Sequence, residues 1–346
     1  MKDAIRLKVI RTDNTNPYIN LATEEYLTMN AAKGEVTLFL WQNAHTVVIG
    51  KNQNPWRECN VEGIKADGIY LARRMSGGGA VYHDLGNLNF TFIARDGLYD
   101  IEKQTDVILL ACRLMGIKAA KTGRNDLVIE GRKFSGHAYF SSAGYNYHHG
   151  TIMLDVNGED LPKYLQVSDA KLKSKGVQSV RSRVVNIREY VKGYESKFGE
   201  DGEPIVKILT PARRRKLIDE MQSAMIRAAE RTYGAEAEIC ELPATPQDLI
   251  EKYSSEEWRL GTRIPFEKSI EHKFEWGEVE IQLAMKGEYI ENCRIYSDAL
   301  DTEMFGKIEE LLKGCRYDAA TIAELERPED CSANACELLK LIAANI

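Results

Sequence analysis

No apolar run in this chain of 346 residues approaches the roughly 20 residues needed to span a bilayer. A membrane-embedded protein is therefore not expected. The opening Met1-Lys2-Asp3-Ala4-Ile5-Arg6 lacks the apolar stretch of a secretory signal, so a cytoplasmic location is the default expectation. Cysteine occurs seven times, at Cys59, Cys112, Cys240, Cys293, Cys315, Cys331 and Cys336, but never in CxxC spacing. That scatter excludes a zinc ribbon or a disulfide framework and fits free thiols in a reducing compartment. Positive charge is not in excess either. With 46 Lys and Arg against 52 Asp and Glu, the formal net charge of −6 argues against a protein that coats nucleic acid. Internal repeats and low-complexity tracts are absent.

What is present suffices for two ordinary cores: 44% of residues are hydrophobic, over a length that accommodates two domains. Charge is unevenly spread. Between 163 and 188, Lys163, Lys171, Lys173, Lys175, Arg181, Arg183 and Arg188 face only Asp169, a stretch suited to an acidic partner or a nucleotide, or to a solvated surface loop.

Two segments about fifty residues apart concentrate glycine and basic residues. They are Arg73-Arg74-Met75-Ser76-Gly77-Gly78-Gly79-Ala80-Val81-Tyr82 and Gly131-Arg132-Lys133-Phe134-Ser135-Gly136-His137-Ala138-Tyr139. Three consecutive glycines let backbone approach a ligand, and successive N–H groups can form a nest for phosphate or carboxylate. Taken alone, the triple glycine is equally a tight turn. A P-loop or a dinucleotide-binding turn would run from a strand into a helix, and a P-loop would end in Gly-Lys-Ser/Thr. Here 68–73 reads as extended before the glycines, and 79–82 leads past a Gly86 turn to a strand at 88–93, so the loop is expected to join strands.

The remaining elements read as a strand over 5–10, a helix from Asn16-Pro17 that Gly34 stops, and two β-branched runs at 36–41 and 46–50 expected to be neighbours in one buried sheet. A helix over 99–114, a β-hairpin over 126–140 with Lys133 near its start, and a strand over 151–156 follow. Thr210-Pro211 supplies a cap and a first-turn proline for a helix to Tyr233. From Thr245-Pro246 the texture changes to a helix near 255, strands at 274–281 and 289–296, and helices from Asp301 and Ser332. The expectation is an α+β chain with a catalytic domain over 1–245 and a small α+β accessory domain over 246–346.

Joining a carboxylic acid to an amine requires activation, and ATP provides it by forming an acyl-adenylate, whose site must gather several anionic oxygens. The Gly77-Gly78-Gly79 backbone can cradle a phosphate, Arg74 can contact it in bidentate fashion, and Lys133 can act as a point charge between carboxylate and phosphate. The five elements 73–81, 83–87, 123–127, 132–139 and 175–184 together resemble the lipoate–protein ligases, which activate lipoic acid with ATP and pass it to a lysine of a partner domain.

The resemblance implies a mixed-sheet catalytic domain of the biotin/lipoate protein ligase type with a C-terminal accessory domain. It implies nucleotide binding at Arg74, Gly77, Gly78, Gly79, Ala80, Val81, Tyr82, Ser179 and Arg183, with Lys133 as the catalytic contact to both lipoate and phosphate. Trp41, Val48, Tyr82, His83, Gly79 and His149 become candidates for the lipoyl slot, although each also reads as ordinary packing. The segment 171–183 resembles a loop that closes over the adenylate and excludes water. Asp126 is the candidate Mg²⁺ ligand, the alternative being a cap on the hairpin turn. The adjacent His148 and His149 point to opposite faces of a strand, which disfavours a metal pair.

The implied cofactors are ATP and Mg²⁺, and the implied partners are lipoic acid or octanoate and the lipoyl domains of E2 subunits and of the glycine-cleavage H protein, with neither nucleic acid nor membrane. Two rivals stay open: an ATP-independent octanoyl or lipoyl transferase, and a non-catalytic lipoyl-domain binding protein. A thioester route would need a cysteine near Lys133, and none lies between Cys112 and Cys240. The Gly-Arg-Gly-Arg loop usual in biotin ligases is missing.

Overall fold

β-Branched and apolar residues at the start of the chain build β1 (Arg6–Arg11) and β2 (Glu35–Trp41), which run parallel and are joined by the helix Pro17–Met29. In the computed structural model, which describes residues 5–123, 125–159, 161–166, 184–196, 208–325 and 332–346, the helix opens where Asn16 accepts the Tyr18 N–H at 2.9 Å and Pro17 takes the first turn. It ends at Met29 with Asn30 as its cap, five residues before Gly34, which instead turns the chain into β2.

The next run was expected beside β2. It lies in another sheet. β3 (Thr46–Ile49) pairs in parallel with β4 (Tyr70–Arg73) and antiparallel with β5 (Val81–His83), whereas β2 pairs antiparallel with β6 (Asn87–Arg95). The bend at 42–45 diverts the chain out of the first sheet. Its Gln42 amide donates to the Leu85 carbonyl at 2.9 Å, and Asn43 is fixed between Asn20 and His83.

The large sheet is completed by β7 (Ala120–Thr122), β8 (Asp126–Ile129), β9 (Arg132–Ser142), β10 (Tyr145–Met153) and β11 (Ala237–Cys240), in the order β11-β1-β2-β6-β10-β9-β8-β7. β10 begins six residues before the run at 151–156 that sequence periodicity marks, and Leu154 to Val156 fall outside it. One face of this mixed sheet packs Leu38, Phe90 and Phe92 against Val107 and Ile108 of the helix Ile101–Leu114 and Met221 and Met225 of the helix Pro211–Tyr233. Thr210 precedes that second helix as expected, but its side chain makes no capping bond. The opposite face carries Phe39, Trp41, Ile93 and Tyr147 against Leu21 and Ala22 of the first helix and Val48 and Ala72 of the small sheet.

The second hydrophobic cluster is built from β12 (Lys268–Phe274), β13 (Gly277–Lys286) and β14 (Tyr289–Ser297), an antiparallel sheet covered by the helices Glu303–Leu312, Ala319–Glu324 and Ala333–Ala344. A turn at Glu275 and Trp276 splits the 274–281 run into two strands. The helices Gln247–Ser254 and Glu256–Leu260 pack on the first body, although a division at 245 would assign them to the second. Tyr253 is buried in the first body's cluster, and Trp258 donates to the Arg73 carbonyl at 2.9 Å.

Arg73, itself 4% exposed, returns the bond. Its guanidinium donates to the carbonyls of Trp258 at 2.9 Å, Arg259 at 3.0 Å, Lys51 at 2.8 Å and Gln53 at 2.9 Å. The loop it anchors, 50–58, is also where the second body docks. Lys51 pairs with Glu303 at 3.1 Å, Arg57 with Glu271 at 2.9 Å, and Ser297 N–H reaches the Asn52 carbonyl at 2.8 Å.

One glycine outside the loop is a steric necessity. A Cβ at Gly86 would stand 1.9 Å from the Asp155 carbonyl oxygen and 2.6 Å from the Val156 nitrogen, both backbone atoms that cannot step aside. Gly86→Ala is expected to destabilise the protein by about 3 kcal/mol or more, the upper range for overpacking. Urea unfolding measures this, and a loss below about 1 kcal/mol would refute the contact.

Candidate active site

The hairpin β8–β9 positions the key cation. Its two-residue turn, Glu130 at φ 52° and Gly131 at φ 77°, matches a tight type I′ geometry. The register slips between Leu127 and Val128: Asp126 faces Gly136 and Leu127 faces Ser135, but Val128 faces Lys133. Phe134 is the extra residue, fully buried in the core. Without this bulge, Lys133 and Gly136, three apart, would point to opposite faces. With it they share one.

The Lys133 amine consequently lies over Gly136, where a Cβ would come within 2.8 Å of Nζ, and it pairs with Asp126 Oδ1 at 2.7 Å. Both side chains are about one-third exposed and reachable from solvent. Asp126 stands at the far end of its strand from the Glu130-Gly131 turn, so it does not cap it. Further along the same face, Ala138 lies beside His149 of β10, and its Cβ is 3.9 Å from where a Gly78 Cβ would be. The glycine loop thus meets the sheet two residues from the lysine's seat.

The loop between β4 and β5 is shaped from inside. Arg74 is 6% exposed. Its Nη2 donates to the carbonyls of Gly77 at 2.7 Å and Gly79 at 2.8 Å, Nη1 to that of Val48 at 3.2 Å, and Nε to Ser76 Oγ at 3.0 Å. Burial pulls its guanidinium down to about 10, still charged near neutrality. The bidentate reach to a ligand phosphate expected of Arg74 is absent from this arrangement, because the fork is engaged by loop carbonyls. A trans peptide sets C=O and N–H antiparallel, so drawing the Gly77 and Gly79 carbonyls inward turns the N–H groups of Gly78 and Ala80 outward. Gly78 holds this at φ 90°, a conformation side chains resist.

One of these outward donors is engaged by the second body: Gly78 N–H meets the Ala299 carbonyl at 3.3 Å. A Cβ on Gly77 would be 2.0 Å from the same oxygen. Gly79 is exposed, with nothing near its missing side chain.

Trp41 and Val48 share one buried cluster, and His149 touches it through Tyr147, whose ring lies 4.7 Å away. His83 is buried on Asn43 at 3.2 Å, and burial, with Arg74 adding repulsion, lowers its imidazole to about 3. Tyr82, between Val81 and His83 on β5, points to the other side of the small sheet, where it stacks on Tyr164 and bonds His45 at 2.6 Å. Only its backbone can belong to the site. His148 turns away to Gln104 while His149 turns to Ser76 and Glu24. Ser179, Arg183, the 171–183 loop and Cys331 lie outside the described residues.

Sequence reasoning missed two buried polar residues of this region. Glu24 is 2% exposed on the inner face of the first helix, with His149 Nδ1 at 2.8 Å and the Thr91 hydroxyl at 2.6 Å. Ser76, quoted within its motif, received no role. The available signal for Glu24 was its spacing of four from Asn20, which places two polar residues beside Leu21 on a buried stripe.

Among the described residues no three His, Cys, Asp or Glu groups cluster as a metal site, and no helix is long and apolar enough to cross a membrane. Asp126 is therefore a single carboxylate beside an ammonium, a donor set that fits Mg²⁺ only where phosphate oxygens and waters complete the shell.

Comparison with known proteins agrees with this geometry. Residues 16–199 match the family described as Lipoyl protein ligase A/B catalytic domain, and residues 263–334 match Bacterial lipoate protein ligase C-terminus. The chain is 37% identical over 322 residues to Lipoate-protein ligase A of Psychrobacter cryohalolentis, covering 91% of this chain and 90% of that protein. It is 35% identical over 330 residues to the Bdellovibrio bacteriovorus protein of the same name, covering 92% and 91%. Among solved structures, LipL1 of P. falciparum in complex with lipoate superposes with a TM-score of 0.80 at 25% identity, covering 98% of this chain and 99% of that one. A bi-partite lipoate protein ligase with its E2 lipoyl domain from Thermoplasma acidophilum gives 0.60 at 26%, covering 76% and 98%. With both halves matched in order and relatives similar along nine-tenths of its length, the chain belongs to the lipoate–protein ligase family.

Proposed function

We propose that this protein activates lipoate with ATP to lipoyl-AMP and transfers the lipoyl group to the ε-amino group of a lysine on a lipoyl domain. The observation that carries the reading is the Lys133 amine, seated over Gly136 against Asp126, on the sheet face that meets the glycine loop. A cation fixed on a stiff hairpin, beside a loop whose N–H groups are turned outward, suits a carboxylate attacking an α-phosphate. Arg74 acts by orienting the loop peptides, and the donors of Gly78 and Ala80 face the phosphates. Asp126 holds Mg²⁺ together with nucleotide oxygens. The ion supplies charge neutralisation on the phosphates when bound.

Trp41, Val48, His83 and His149 line the slot for the acyl chain, and Ser179 and Arg183 complete nucleotide binding. Octanoate is an alternative donor, and E2 lipoyl domains and the glycine-cleavage H protein are the acceptors. Ala299 and Leu300 withdraw from Gly77 and Gly78 for the loop to be used in full, moving about a joint near 261–267. The cytoplasm is the place of action.

The cysteine-dependent transferase finds no support among the described residues. Cys59 and Cys112 are buried, and burial pushes both thiols up to about 12, too high to supply a thiolate.

The test is intact-mass spectrometry of a lipoyl domain incubated with the protein, lipoate and Mg²⁺, with and without ATP. Addition of one lipoyl group only when ATP is present is the expected result. Modification by an acylated carrier without ATP would establish the transferase instead, and no modification under either condition would leave a binding protein.

A further inference from the structure

Six side chains form one hydrogen-bonded chain from the glycine loop to the floor of the apolar cluster. Arg74 Nε meets Ser76 Oγ at 3.0 Å, Ser76 Oγ meets His149 Nε2 at 2.7 Å, and His149 Nδ1 meets Glu24 Oε1 at 2.8 Å. From the other end, Trp41 Nε1 meets Thr91 Oγ1 at 3.0 Å and Thr91 Oγ1 meets Glu24 Oε1 at 2.6 Å. Every member is buried: Ser76 and Thr91 completely, Glu24 2%, Trp41 3%, Arg74 6% and His149 7% exposed.

The chemistry of the two ends fixes the direction of the terminal bonds. A guanidinium and an indole can only donate. Ser76 and Thr91 therefore accept from them; Thr91 directs its own proton to Glu24, and Ser76 can direct its proton to His149 Nε2. When Ser76 does so, His149 Nε2 is the acceptor and the N–H on Nδ1 donates to Glu24. Both arms converge on one carboxylate oxygen, so the histidine tautomer, the Ser76 rotamer and the Arg74 fork are set together. Arg74 in turn orients the Gly77 and Gly79 carbonyls.

We propose that this chain couples the acyl slot to the nucleotide loop: filling the slot against Trp41 and His149 fixes the tautomer and, through Ser76 and Arg74, the outward N–H groups of the loop, so each ligand strengthens the other's binding. Glu24, Thr91 and Ser76 are thereby positioning residues. The proposal rests on the functional reading given above, which supplies the two ligands. Coupling of this kind is reciprocal and is typically about 5- to 150-fold in affinity.

The experiment measures binding of a non-hydrolysable ATP analogue with and without saturating lipoate, in the unaltered protein and in Thr91→Val, Thr91→Ser and Ser76→Ala. Thr91→Val keeps the shape and removes the hydroxyl; Thr91→Ser keeps the hydroxyl. The expected result is at least about 5-fold tighter analogue binding with lipoate in the unaltered protein and in Thr91→Ser, falling to about 1-fold in Thr91→Val and Ser76→Ala. A merely structural role would weaken each ligand or lower the melting temperature while leaving that ratio intact, and such a result overturns the proposal. Binding of both ligands by the unaltered protein with no mutual effect overturns the coupling alone. Binding of neither overturns the functional reading together with it.

Discussion

Lys133→Ala is expected to reduce lipoate-dependent ATP–pyrophosphate exchange by about 10²- to 10³-fold or more, the scale for removing one positioned charge-stabilising donor from an active site. The fold should survive, because the side chain is partly exposed and its ion pair with a similarly exposed Asp126 contributes about 1 kcal/mol at most. Gly136→Ala provides a sharper form of the same experiment. The new methyl would occupy the seat of the amine, 2.8 Å from Nζ, and displace the flexible end of a lysine rather than any backbone. Exchange should fall while the melting temperature stays close to that of the unaltered protein. Undiminished exchange in Lys133→Ala would remove the lysine from the mechanism. Full activity in Gly136→Ala would show that its seat over the glycine is immaterial.

Acid should unfold this protein early, and the cause is three histidines in the interior. Burial lowers His83 and His137 to about 3 and His148 well below its usual value. Cations add to the effect: Arg74 near His83, and Lys133 and Lys121 near His137. His148, between Gln104 and the His137 ring, has Lys121 as its charged neighbour and His137 and His149 as further titratable ones. In the folded state all three remain neutral, whereas in the unfolded chain each takes a proton near pH 6.5. Their stabilisation is complete above that pH and is lost progressively as the pH falls toward 3.

Each group contributes a slope of about 1.4 kcal/mol per pH unit, so three together approach about 4. Asp84 and Glu309, whose carboxyls burial raises, act in the opposite sense, but only where carboxylates titrate. Urea unfolding at intervals from pH 7.5 to 5 should show a steep loss of stability beginning near 6.5. A flat profile would mean that water or an alternative partner reaches these imidazoles.

How far the sequence disclosed the structure depended on whether a feature was local. The hairpin was legible because Gly131 punctuates alternating residues, and the glycine loop because its flanks alternate as strands. Sheet membership was not. A β-branched run states that a strand forms but not where its partners lie, and the four-residue bend after Trp41 carried no sign that it leaves the plane. The start of β10 was hidden because Asn146, His148 and His149 are polar yet buried, each bonded to a partner remote in sequence: Asp96, Gln104 and Glu24. Lys133 could be nominated from its motif, but its alignment with Gly136 depends on a bulge that no residue type announces. Arg74 was assigned to the site for its charge, and the geometry gives that charge to the loop carbonyls.

Arg73, bound to five carbonyls and, among the described residues, paired with no carboxylate, makes the two attachments of loop 50–58 respond differently to ionic strength. A guanidinium buried among peptide dipoles offers mobile ions nothing to screen. The ion pairs that hold the second body alongside the Ser297–Asn52 and Gly78–Ala299 backbone bonds, Lys51 with Glu303 and Arg57 with Glu271, are partly exposed and within reach of a Debye atmosphere about 10 Å thick at 0.1 M salt. Raising the salt concentration should therefore expand the molecule by releasing residues beyond about 263, while the helices 247–260 stay fixed to the first body, an asymmetry that small-angle scattering across a salt series would register as a growing radius of gyration without loss of helix signal.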